Sequence, residues 1–300
     1  MILVFGGHGQ LGQELARTAT EQGAPLVALG RVEADITQRA VVMAALAAHR
    51  PSLVVNAAAY TQVDRAESDA GAAAAVNTRG AAIVAGACAG AGIPLVHIST
   101  DYVFDGTKAA PYRENDPVAP LNVYGRTKLG GEIAVREALP RHIILRTAWV
   151  YGEFGHNFLK TMLRLARERD ELRVVADQRG APTSARELAA AILRIAPRLT
   201  DAAGDTWGTY HLTGTGVTSW HGFAVAIVAA QAPLTGLLPK VTAIATADYP
   251  TAAARPANSV LDCGRFERAF GWRSRLWAEE VADVTRAVVL AQRETPAHVA

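Results

Sequence analysis

The first apolar run of this chain ends in a glycine loop, and that junction limits what the chain can fold into. The run ILVF (2–5) leads directly into GGHGQLG, which has glycines at positions 6, 9 and 12 and opens a helical pattern. Glycine permits a tight turn and lets the backbone approach a pyrophosphate at the positive N-terminus of a helix. In this strand–loop–helix context, the spacing predicts that Gly6, Gly9 and Gly12 belong to a dinucleotide-binding βαβ unit. A tight turn with a purely structural role is the alternative.

Four further apolar runs alternate with longer helical stretches over the first 150 residues. These runs are PLVAL (25–29), SLVVN (52–56), PLVHIS (94–99) and HIILR (142–146). They are β-rich and apolar on both faces, which is typical of strands buried in a parallel sheet. Segments long enough for crossover helices separate them, including a predicted helix from Tyr124 to Glu137. The pattern therefore predicts a doubly wound α/β sheet.

The alternation of short apolar runs with longer helical stretches changes after residue 150. This change predicts a second, smaller domain interleaved with the first. Helices are predicted at 157–169, 184–196 and about 277–293, and a strand is predicted at TYHLTG (209–214). We assign residues 1–150 and about 183–215 to a dinucleotide-binding domain. Residues 151–182 and about 216–300 are assigned to a substrate-binding domain.

The composition is that of an ordinary globular protein and argues against several classes of function. Half of the 300 residues are hydrophobic, and the net charge of +2 comes without a basic cluster, which argues against nucleic acid as a partner. The apolar start is too short for a signal peptide, and no apolar run approaches the roughly 20 residues that span a bilayer. Cys88 and Cys263 are far apart and form no metal or redox motif. We therefore expect a cytoplasmic protein with reduced thiols and no membrane partner.

The second predicted strand ends at an arginine instead of the acidic residue that binds a free ribose 2′-hydroxyl. Arg31 follows VALG directly, and a guanidinium there suits the 2′-phosphate of NADPH. Asp35, in EADIT, lies where a carboxylate can approach the adenine. Arg31 favours NADPH over NADH, but a solvated loop arginine is an equal alternative, so NADH remains open.

Hydroxyl, phenol and amine side chains follow the fourth predicted strand in a pattern that suits carbonyl chemistry. Ser99, Thr100 and Asp101 end that strand at the carboxyl edge of the sheet, where open α/β sheets bind ligands. Tyr124 and Lys128 are four residues apart and share one face of the next helix. The hydroxyl would hold a carbonyl, the phenol would protonate it, and the lysine would lower the pKa of the phenol. Taken singly, Tyr124 is more often a packing residue and Lys128 a solvated one.

The glycine loop, Thr100 and the Tyr124-x-x-x-Lys128 pair resemble the extended short-chain dehydrogenase/reductase superfamily. Further stretches resemble one branch, the dTDP-4-dehydrorhamnose reductases, in order and over nearly the whole chain. These stretches are GGHGQLGQEL, VVNAAAYTQVDRAE, ISTDYVFDG, NVYGRTKLGGE, LRTAWVYG, NFLKTML, VADQRGAPTS, YHLTGTG and RPANSVLD. The resemblance implies a Rossmann-type doubly wound parallel sheet with a smaller, interleaved α/β domain that binds a nucleotide sugar.

The resemblance also implies an activity and the residues that carry it. The family reduces the 4-keto group of dTDP-4-dehydro-6-deoxy-L-mannose with NADPH or NADH, giving dTDP-L-rhamnose in the last step of its biosynthesis. Thr100, Tyr124 and Lys128 would be the catalytic triad, with Tyr124 as the proton donor. From the loop and the resemblance together, the cofactor-binding residues are Gly6, Gly9, Gln10, Leu11, Gly12, Arg31, Asp35, Ile36, Ala57, Ala58, Ala59, Tyr124 and Lys128.

Further residues are candidates for the nucleotide-sugar site. The resemblance places Thr100, Asp101 and Trp149 against the substrate. Trp149 offers a flat apolar wall for a sugar ring, and core packing between the domains is the alternative. Asn157 and Arg255 are candidates for the diphosphate or thymine end, because loops of the second domain should face the cleft and a planar guanidinium suits a diphosphate.

A metal is implied only through the resemblance. Some members of the family carry a magnesium ion at a dimer contact through acidic residues, and Glu14 and Glu187 stand at matching positions. Mg²⁺ and a homodimer are thus implied, although glutamates on helix surfaces are usually solvated and carboxylates alone specify hard cations poorly. The eight histidines show no metal-binding spacing.

Two other functions remain open from the sequence. Regulatory subunits of the same branch bind a dinucleotide and dock onto a partner enzyme without chemistry, but the complete triad argues against this function. Nucleotide-sugar epimerases and dehydratases share the fold and return the hydride to the sugar. Asp101 can be read as an acid/base residue of a dehydratase, whereas the stretches TDYVF and DQRGAPT favour a reductase.

Overall fold

The structure, a computed structural model, describes residues 1–200 and 206–294. The strands are β1 (Ile2–Phe5), β2 (Leu26–Leu29), β3 (Leu53–Asn56), β4 (Leu95–Thr100), β5 (His142–Thr147), β6 (Val150–Tyr151), β7 (Glu171–Val175), β8 (Arg179–Gly180), β9 (Thr183–Ser184), β10 (Gly208–His211), β11 (Thr218–Ser219) and β12 (Lys240–Ile244). The α-helices are α1 (Gln10–Glu21), α2 (Arg39–His49), α3 (Val63–Ser68), α4 (Ala70–Ala74), α5 (Ala81–Ala91), α6 (Val123–Ala138), α7 (Phe158–Glu168), α8 (Ala185–Thr200), α9 (Trp220–Thr235), α10 (Gly264–Phe270) and α11 (Trp277–Glu294).

A parallel sheet with the strand order β2-β1-β3-β4-β5-β10 forms the centre of the described chain. The chain turns to one side of β1 to form β2 and to the other side to form β3. In such sheets, ligands bind where the direction reverses, outside the carboxyl ends of the strands. β4 and β5 pair from Leu95↔His142 to Thr100↔Thr147, so Thr100 lies at that edge.

Helices cover both faces of the sheet. On one face, α1 and α8 bury apolar side chains such as Leu15 and Ile192 against the strands. On the other face, α2, α5 and α6 do the same with side chains such as Val84 and Val135. Full burial of one such side chain contributes roughly 1.5–3 kcal/mol to stability. The predicted doubly wound α/β fold is confirmed.

A second apolar cluster lies in the latter half of the chain. Helices α7, α9 and α11 and strand β7 form it, with Leu159, Phe223 and Val281 completely buried or nearly so. β12 pairs in parallel with β7, in register from Lys240↔Glu171 to Ile244↔Val175. This cluster is the core of a smaller α/β unit beside the central sheet.

Two elements differ from the sequence-based expectations. Helix α10 lies in the segment assigned to the second domain, yet its Phe266 and Phe270 pack in the cluster against the central sheet. An amphipathic pattern shows that a helix buries one face, but not which core receives that face. Helix α3 stands where the sequence predicts no element, because six residues are too few to show a clear helical period.

The helical residues Ala70–Ala91 are long and apolar enough, by length and composition alone, to cross a membrane. The expectation that no apolar run approaches that length is therefore wrong for this stretch. Alanine supplies most of the hydropathy, and a π-helical turn at Ala75–Gly80 joins α4 to α5. Val84 and Ala85 are completely buried beside the sheet, and a buried core helix passes the same length and hydropathy test.

Candidate active site

The glycine loop joins β1 to α1 at the carboxyl edge of the sheet. Gly6 has a φ of +87°, in the left-handed region that favours glycine. A Cβ at Gly6 would lie 2.6 Å from the Ala58 backbone nitrogen, and one at Gly12 would lie 2.3 Å from the Gly6 carbonyl oxygen. Neither position has room for a side chain. The loop therefore lies against the end of β3, and two of the predicted cofactor segments meet there.

The first turn of α1 presents backbone donors without a cap. Its N-cap residue is Gly9, no side chain bonds the first amides, and no acidic residue lies in the first turn. The amides that begin at Gln10 thus lie at the positive end of the helix dipole with no side-chain partner. A diphosphate is the kind of group that such a helix end accepts. The loop therefore fits the pyrophosphate of a dinucleotide.

Arg31 and Asp35 contact each other beyond the end of β2. The Arg31 side chain is 82% exposed, and its Nε lies 3.5 Å from Asp35 Oδ2. Asp35 Oδ1 accepts hydrogen bonds from the backbone N–H and the hydroxyl of Thr37, and the backbone bond in particular holds the pKa of Asp35 below its usual value. Ile36 is buried in the core cluster on the α2 side. Ile36 anchors this loop, and Arg31 is an exposed cation on it.

Tyr124 lies in the first turn of α6. Asn122 is the N-cap: its Oδ1 accepts a hydrogen bond from the Gly125 N–H at 2.7 Å, and its amide group donates to the Ala254 carbonyl at 2.8 Å. The helix therefore begins at Val123, one residue before the predicted start. The cap fixes both the first turn of α6 and the segment that passes over it.

Thr100 and Asp101 are buried at the end of β4. Thr100 Oγ1 donates to Asp101 Oδ1 at 2.9 Å and accepts a hydrogen bond from the Tyr102 N–H at 3.2 Å. Burial raises the pKa of Asp101 to about 6, although hydrogen bonds from Ser259 and Thr100 oppose that rise. The strand end therefore holds a buried hydroxyl beside a buried carboxylate.

The structure contradicts the expectation that Lys128 lowers the pKa of Tyr124. Burial raises the pKa of Tyr124 to about 12, and the hydroxyl of Thr100 is the neighbour that opposes this rise. The Lys128 ammonium is buried and donates to the Ile98 carbonyl oxygen at 2.6 Å. Burial lowers the pKa of Lys128 to about 8, and the charge of Glu132 opposes that fall. The phenol therefore keeps its proton at neutral pH, as a proton donor must.

Trp149 follows β5 in the left-handed conformation, with a φ of +50°. Such a backbone costs a non-glycine residue about 1–3 kcal/mol and is common at functional sites. The indole stacks on Trp220, with ring centroids 3.7 Å apart and planes 13° apart. One face of Trp149 is therefore used in packing against α9, and its contact with a sugar stays a prediction.

Asn157 and Arg255 already have protein partners in this structure. Asn157 caps α7 by accepting from the Lys160 N–H at 3.1 Å, and its amide nitrogen lies 2.9 Å from Gln10 Oε1. Arg255 forms a two-pronged ion pair with Asp64, at 3.0 and 2.6 Å. Their contacts with a diphosphate or a thymine stay predictions. For Arg255, such a contact requires the guanidinium to leave Asp64.

Glu14 and Glu187 each have a partner within the chain, and their predicted contact with a magnesium ion between two chains stays a prediction. Glu14 is buried 2.6 Å from an Arg17 nitrogen, and burial raises its pKa to about 7. Glu187 Oε2 accepts a hydrogen bond from the Arg275 backbone N–H at 3.2 Å. Within residues 1–200 and 206–294, no group of three or more His, Cys, Asp or Glu side chains is arranged to hold a metal ion.

The sequence-based site omits a buried polar layer below Thr100. Glu132 of α6 binds Ser99 of β4 and Arg146 of β5 there. Glu132 lies four residues after Lys128, so the two residues share a helix face, and Arg146 interrupts an otherwise apolar strand. Charged residues in a buried pattern need partners. By this rule, a charged residue within a buried apolar pattern predicts a buried partner of opposite charge. This signal could have identified the pair of Glu132 and Arg146.

Comparisons with known proteins identify the family of this chain. The chain matches the family described as RmlD substrate binding domain over residues 1–290. It is 46% identical to a dTDP-4-dehydrorhamnose reductase of Sinorhizobium fredii, over 96% of this chain and 98% of the relative.

Solved structures of relatives extend the likeness to the fold. A dTDP-4-dehydrorhamnose reductase of Clostridium acetobutylicum has a TM-score of 0.88 at 38% identity, with 96% of this chain and 99% of that chain covered. The Bacillus anthracis enzyme, solved in complex with NADP, has a TM-score of 0.87 at 35% identity, with 95% and 98% covered. This chain therefore belongs to the RmlD substrate-binding domain family, the family of the dTDP-4-dehydrorhamnose reductases.

Proposed function

We propose that this chain reduces the 4-keto group of dTDP-4-dehydro-6-deoxy-L-mannose to dTDP-L-rhamnose, in the last step of dTDP-rhamnose biosynthesis. The hydride comes from a nicotinamide dinucleotide. Relatives named for this activity match nearly the whole chain, at 43–48% identity in three cases. The observation that carries the proposal is that Thr100, Tyr124 and Lys128 lie at the same edge of the sheet as the glycine loop.

The described side chains suit the protein's part of this reaction. When bound, the nicotinamide supplies a hydride to the ketone carbon. Tyr124, which holds its proton at neutral pH, gives that proton to the ketone oxygen as negative charge develops there. Thr100 positions the phenol from the end of β4. Lys128 lies one helical turn from Tyr124, where an ammonium can bond the nicotinamide ribose.

NADPH is the proposed donor, with NADH as the weaker alternative. Arg31 is exposed beyond the end of β2, where a guanidinium can meet a 2′-phosphate. The Bacillus anthracis relative was solved with NADP. The first turn of α1 would hold the diphosphate of either cofactor.

We extend the proposal to the organisation of the protein. Residues 1–150 and about 183–215 would bind the dinucleotide, and most of the remaining chain would bind the nucleotide sugar, in the cytoplasm. A homodimer is part of the proposal, but no step of the reaction depends on magnesium. Sedimentation with and without a chelator tests both the dimer and the Mg²⁺ bridge through Glu14 and Glu187.

The variant Tyr124→Phe tests the proposed proton donor. It removes the phenolic hydroxyl and keeps the ring that packs against Tyr102. We expect turnover of the 4-keto sugar to fall by a factor on the order of 10²–10⁴, the usual contribution of a general acid. A parallel NADPH titration should show unchanged cofactor binding. Undiminished turnover would show that another group donates the proton.

The purified wild-type chain separates the alternative functions. A reductase consumes NADPH in a one-to-one ratio with the keto sugar. An epimerase or dehydratase converts the sugar without net consumption of NADPH. A regulatory subunit binds the dinucleotide but neither oxidises it nor changes the sugar.

A further inference from the structure

The buried carboxylate of Glu132 joins three elements directly below the proposed catalytic residues. Its side chain is completely buried. Glu132 Oε1 accepts from the Ser99 hydroxyl at 2.6 Å and from Arg146 Nε at 2.8 Å, and Oε2 accepts from Arg146 Nη2 at 2.7 Å. The half-exposed Arg136, on the next turn of α6, also pairs with Oε2. The carboxylate is therefore fixed from β4, from β5 and from its own helix.

Glu132 lies one turn beyond Lys128, and the two side chains attach α6 to adjacent residues of the same strand. Lys128 Nζ bonds the Ile98 carbonyl at 2.6 Å, and Glu132 bonds the Ser99 hydroxyl. Thr100 is the next residue of β4. The two bonds therefore set the register between the helix that carries Tyr124 and the strand that carries Thr100.

Burial and Glu132 act in opposite directions on the charge of Lys128. Within the described residues, no ion pair within 4.0 Å involves Lys128, so the ammonium is buried with a carbonyl as its hydrogen-bond acceptor. Burial favours its neutral form, and the carboxylate of Glu132 favours the charged form. His97 of β4 also faces Lys128, but burial holds its pKa well below the usual value, so this imidazole stays neutral and supplies no opposing charge.

We propose that Glu132 is a positioning residue that holds the Tyr124–Lys128 turn of α6 against β4 and places a negative charge one helical turn from the Lys128 ammonium. The proposal rests on the role of Lys128 in the proposed function. It follows that Glu132 sets the alkaline limit of activity, because a neutral lysine cannot supply the ammonium at the cofactor ribose. Arg146 and Arg136 hold the carboxylate in place, and they would oppose the Lys128 charge if that carboxylate were neutral.

The test is the titration of Lys128 itself in Glu132→Gln. Lys128 is one of four lysines, so ¹³C labelling at Cε gives few NMR signals, and Lys128→Met assigns its resonance. The introduced amide keeps the shape of the side chain and an acceptor for Ser99, but removes the charge. We expect the pKa of Lys128 to fall by about 1 unit or more, as loss of a nearby opposite charge requires. The alkaline limb of kcat/KM for the keto sugar should move to lower pH by the same amount.

The matched control is Arg136→Gln, which breaks an ion pair of the same carboxylate and leaves its charge. This variant should keep the pKa of Lys128 at the wild-type value or raise it. A fall in the pKa of Lys128 as large as that in Glu132→Gln would overturn the proposal. An unchanged pKa in Glu132→Gln, with only a loss of thermal stability, would also overturn it and leave Glu132 with a structural role.

A double variant covers the case in which Glu132→Gln does not fold, since an unpaired buried Arg146 is costly. Glu132→Gln/Arg146→Gln removes that buried charge together with its partner and keeps the net charge of the network. The pKa of Lys128 should still fall, because Glu132 is the charged neighbour that opposes the effect of burial on Lys128. An unchanged pKa in the folded double variant would overturn the proposal.

The NMR titration needs no substrate, so it also separates the two proposals. If the pKa of Lys128 falls as expected but the wild-type chain does not reduce the keto sugar, the proposed function fails alone. If the wild type reduces the keto sugar and the pKa of Lys128 does not respond to Glu132→Gln, the inference about Glu132 fails alone.

Discussion

Three ionisable side chains around the end of β4, those of Tyr124, Asp101 and Lys128, have pKa values shifted toward the neutral form because little water reaches them. Burial raises the pKa of Tyr124 to about 12 and that of Asp101 to about 6, and it lowers the pKa of Lys128 to about 8. These directions share one physical cause, the loss of solvation of a charge. The site therefore retains a phenolic proton, and its buried carboxylate and buried ammonium each carry a free-energy cost.

Replacement of Asp101 by asparagine should remove the free-energy cost of the buried carboxylate. The gain in stability should therefore depend on pH. The pKa of Asp101 in the folded chain, about 6, lies above its reference value of 3.8, so the carboxylate disfavours folding as the pH rises through this window. Asp101→Asn should therefore stabilise the protein at about pH 8, by roughly 1–3 kcal/mol, and gain much less near pH 4. Thermal unfolding at both values measures the difference. An equal gain at both would contradict a titrating Asp101.

Arg31 should decide between the two cofactors. Its exposed guanidinium would pair with the 2′-phosphate, which NADH lacks. We expect Arg31→Ala to raise KM for NADPH by about tenfold, the effect of one or two charge-assisted hydrogen bonds, and to leave KM for NADH unchanged. Steady-state kinetics with each cofactor measure this ratio. A parallel rise for NADH would mean that Arg31 supports the loop and does not recognise the phosphate.

The sequence places some of these residues well and others poorly, for physical reasons. The spacing of Tyr124 and Lys128 requires a shared helix face, and the end of HIST requires Thr100 at the sheet edge. The acceptor of Lys128 is a backbone carbonyl, that of Ile98, which no side-chain pattern reveals. The expected effect of Lys128 on the phenol fails because burial raises the pKa of Tyr124. Asp64, the partner of Arg255, lies 191 residues away, beyond the reach of any local pattern.

Among the elements, the junction of β1, the glycine loop and α1 contains two glycines whose roles can be distinguished by experiment. A Cβ at Gly12 would clash with the loop backbone at 2.3 Å, whereas one at Gly9 meets a single atom at 3.2 Å. Gly12→Ala should therefore destabilise the fold by about 1–3 kcal/mol through overpacking.

Gly9→Ala should instead leave the unfolding temperature nearly unchanged and weaken dinucleotide binding, because its methyl group lies at the helix end that would hold the diphosphate. Calorimetric unfolding and NADPH titration of both variants measure the contrast. Equal loss of stability in the two variants would show that the loop tolerates no side chain at either position.

Short apolar runs and helical periods predict the elements of the central sheet because each strand and helix there is buried in a regular way. The π-helical turn at Ala75–Gly80 has no such signal, since the same alanine-rich sequence would also form an unbroken α-helix. Helix ends that are marked by a capping residue are easier to predict from the sequence. Asn122 and Asn157 occupy the N-caps of α6 and α7, and asparagine is among the preferred residues at that position.

Across the whole molecule, polar contacts join the glycine-loop side of the central sheet to the later segments of the chain. Arg17 of α1 pairs with Glu153 at 2.8 Å, Gln10 bonds Asn157 at 2.9 Å, and Asp64 holds Arg255. The second and third contacts use residues that the sequence assigns to substrate. Pairing partners so distant in sequence cannot be derived from one chain, although the order of the motifs does predict that both halves contribute to one cleft.

The pair formed by Asp64 and Arg255 should control access of anions to this part of the cleft. Asp64→Asn removes the charge that holds Arg255 and keeps a similar shape. Because the Asp64 side chain is 47% exposed, the loss of stability should stay below about 1 kcal/mol. If Arg255 binds the diphosphate, KM for the nucleotide sugar should fall. A rise in KM, with Arg255→Lys as the comparison, would mean that the pair positions the segment and that Arg255 does not bind substrate.

The stacked indoles of Trp149 and Trp220 provide a spectroscopic signal for the contact between the two cores. Trp149 follows a strand of the central sheet, and Trp220 begins a helix of the second core. We expect two nearly parallel rings 3.7 Å apart to couple their excited states and to give a pair of circular dichroism bands of opposite sign. Those bands should vanish when the cores separate, even while each core keeps its helices, and Trp149→Phe should abolish them in the folded protein.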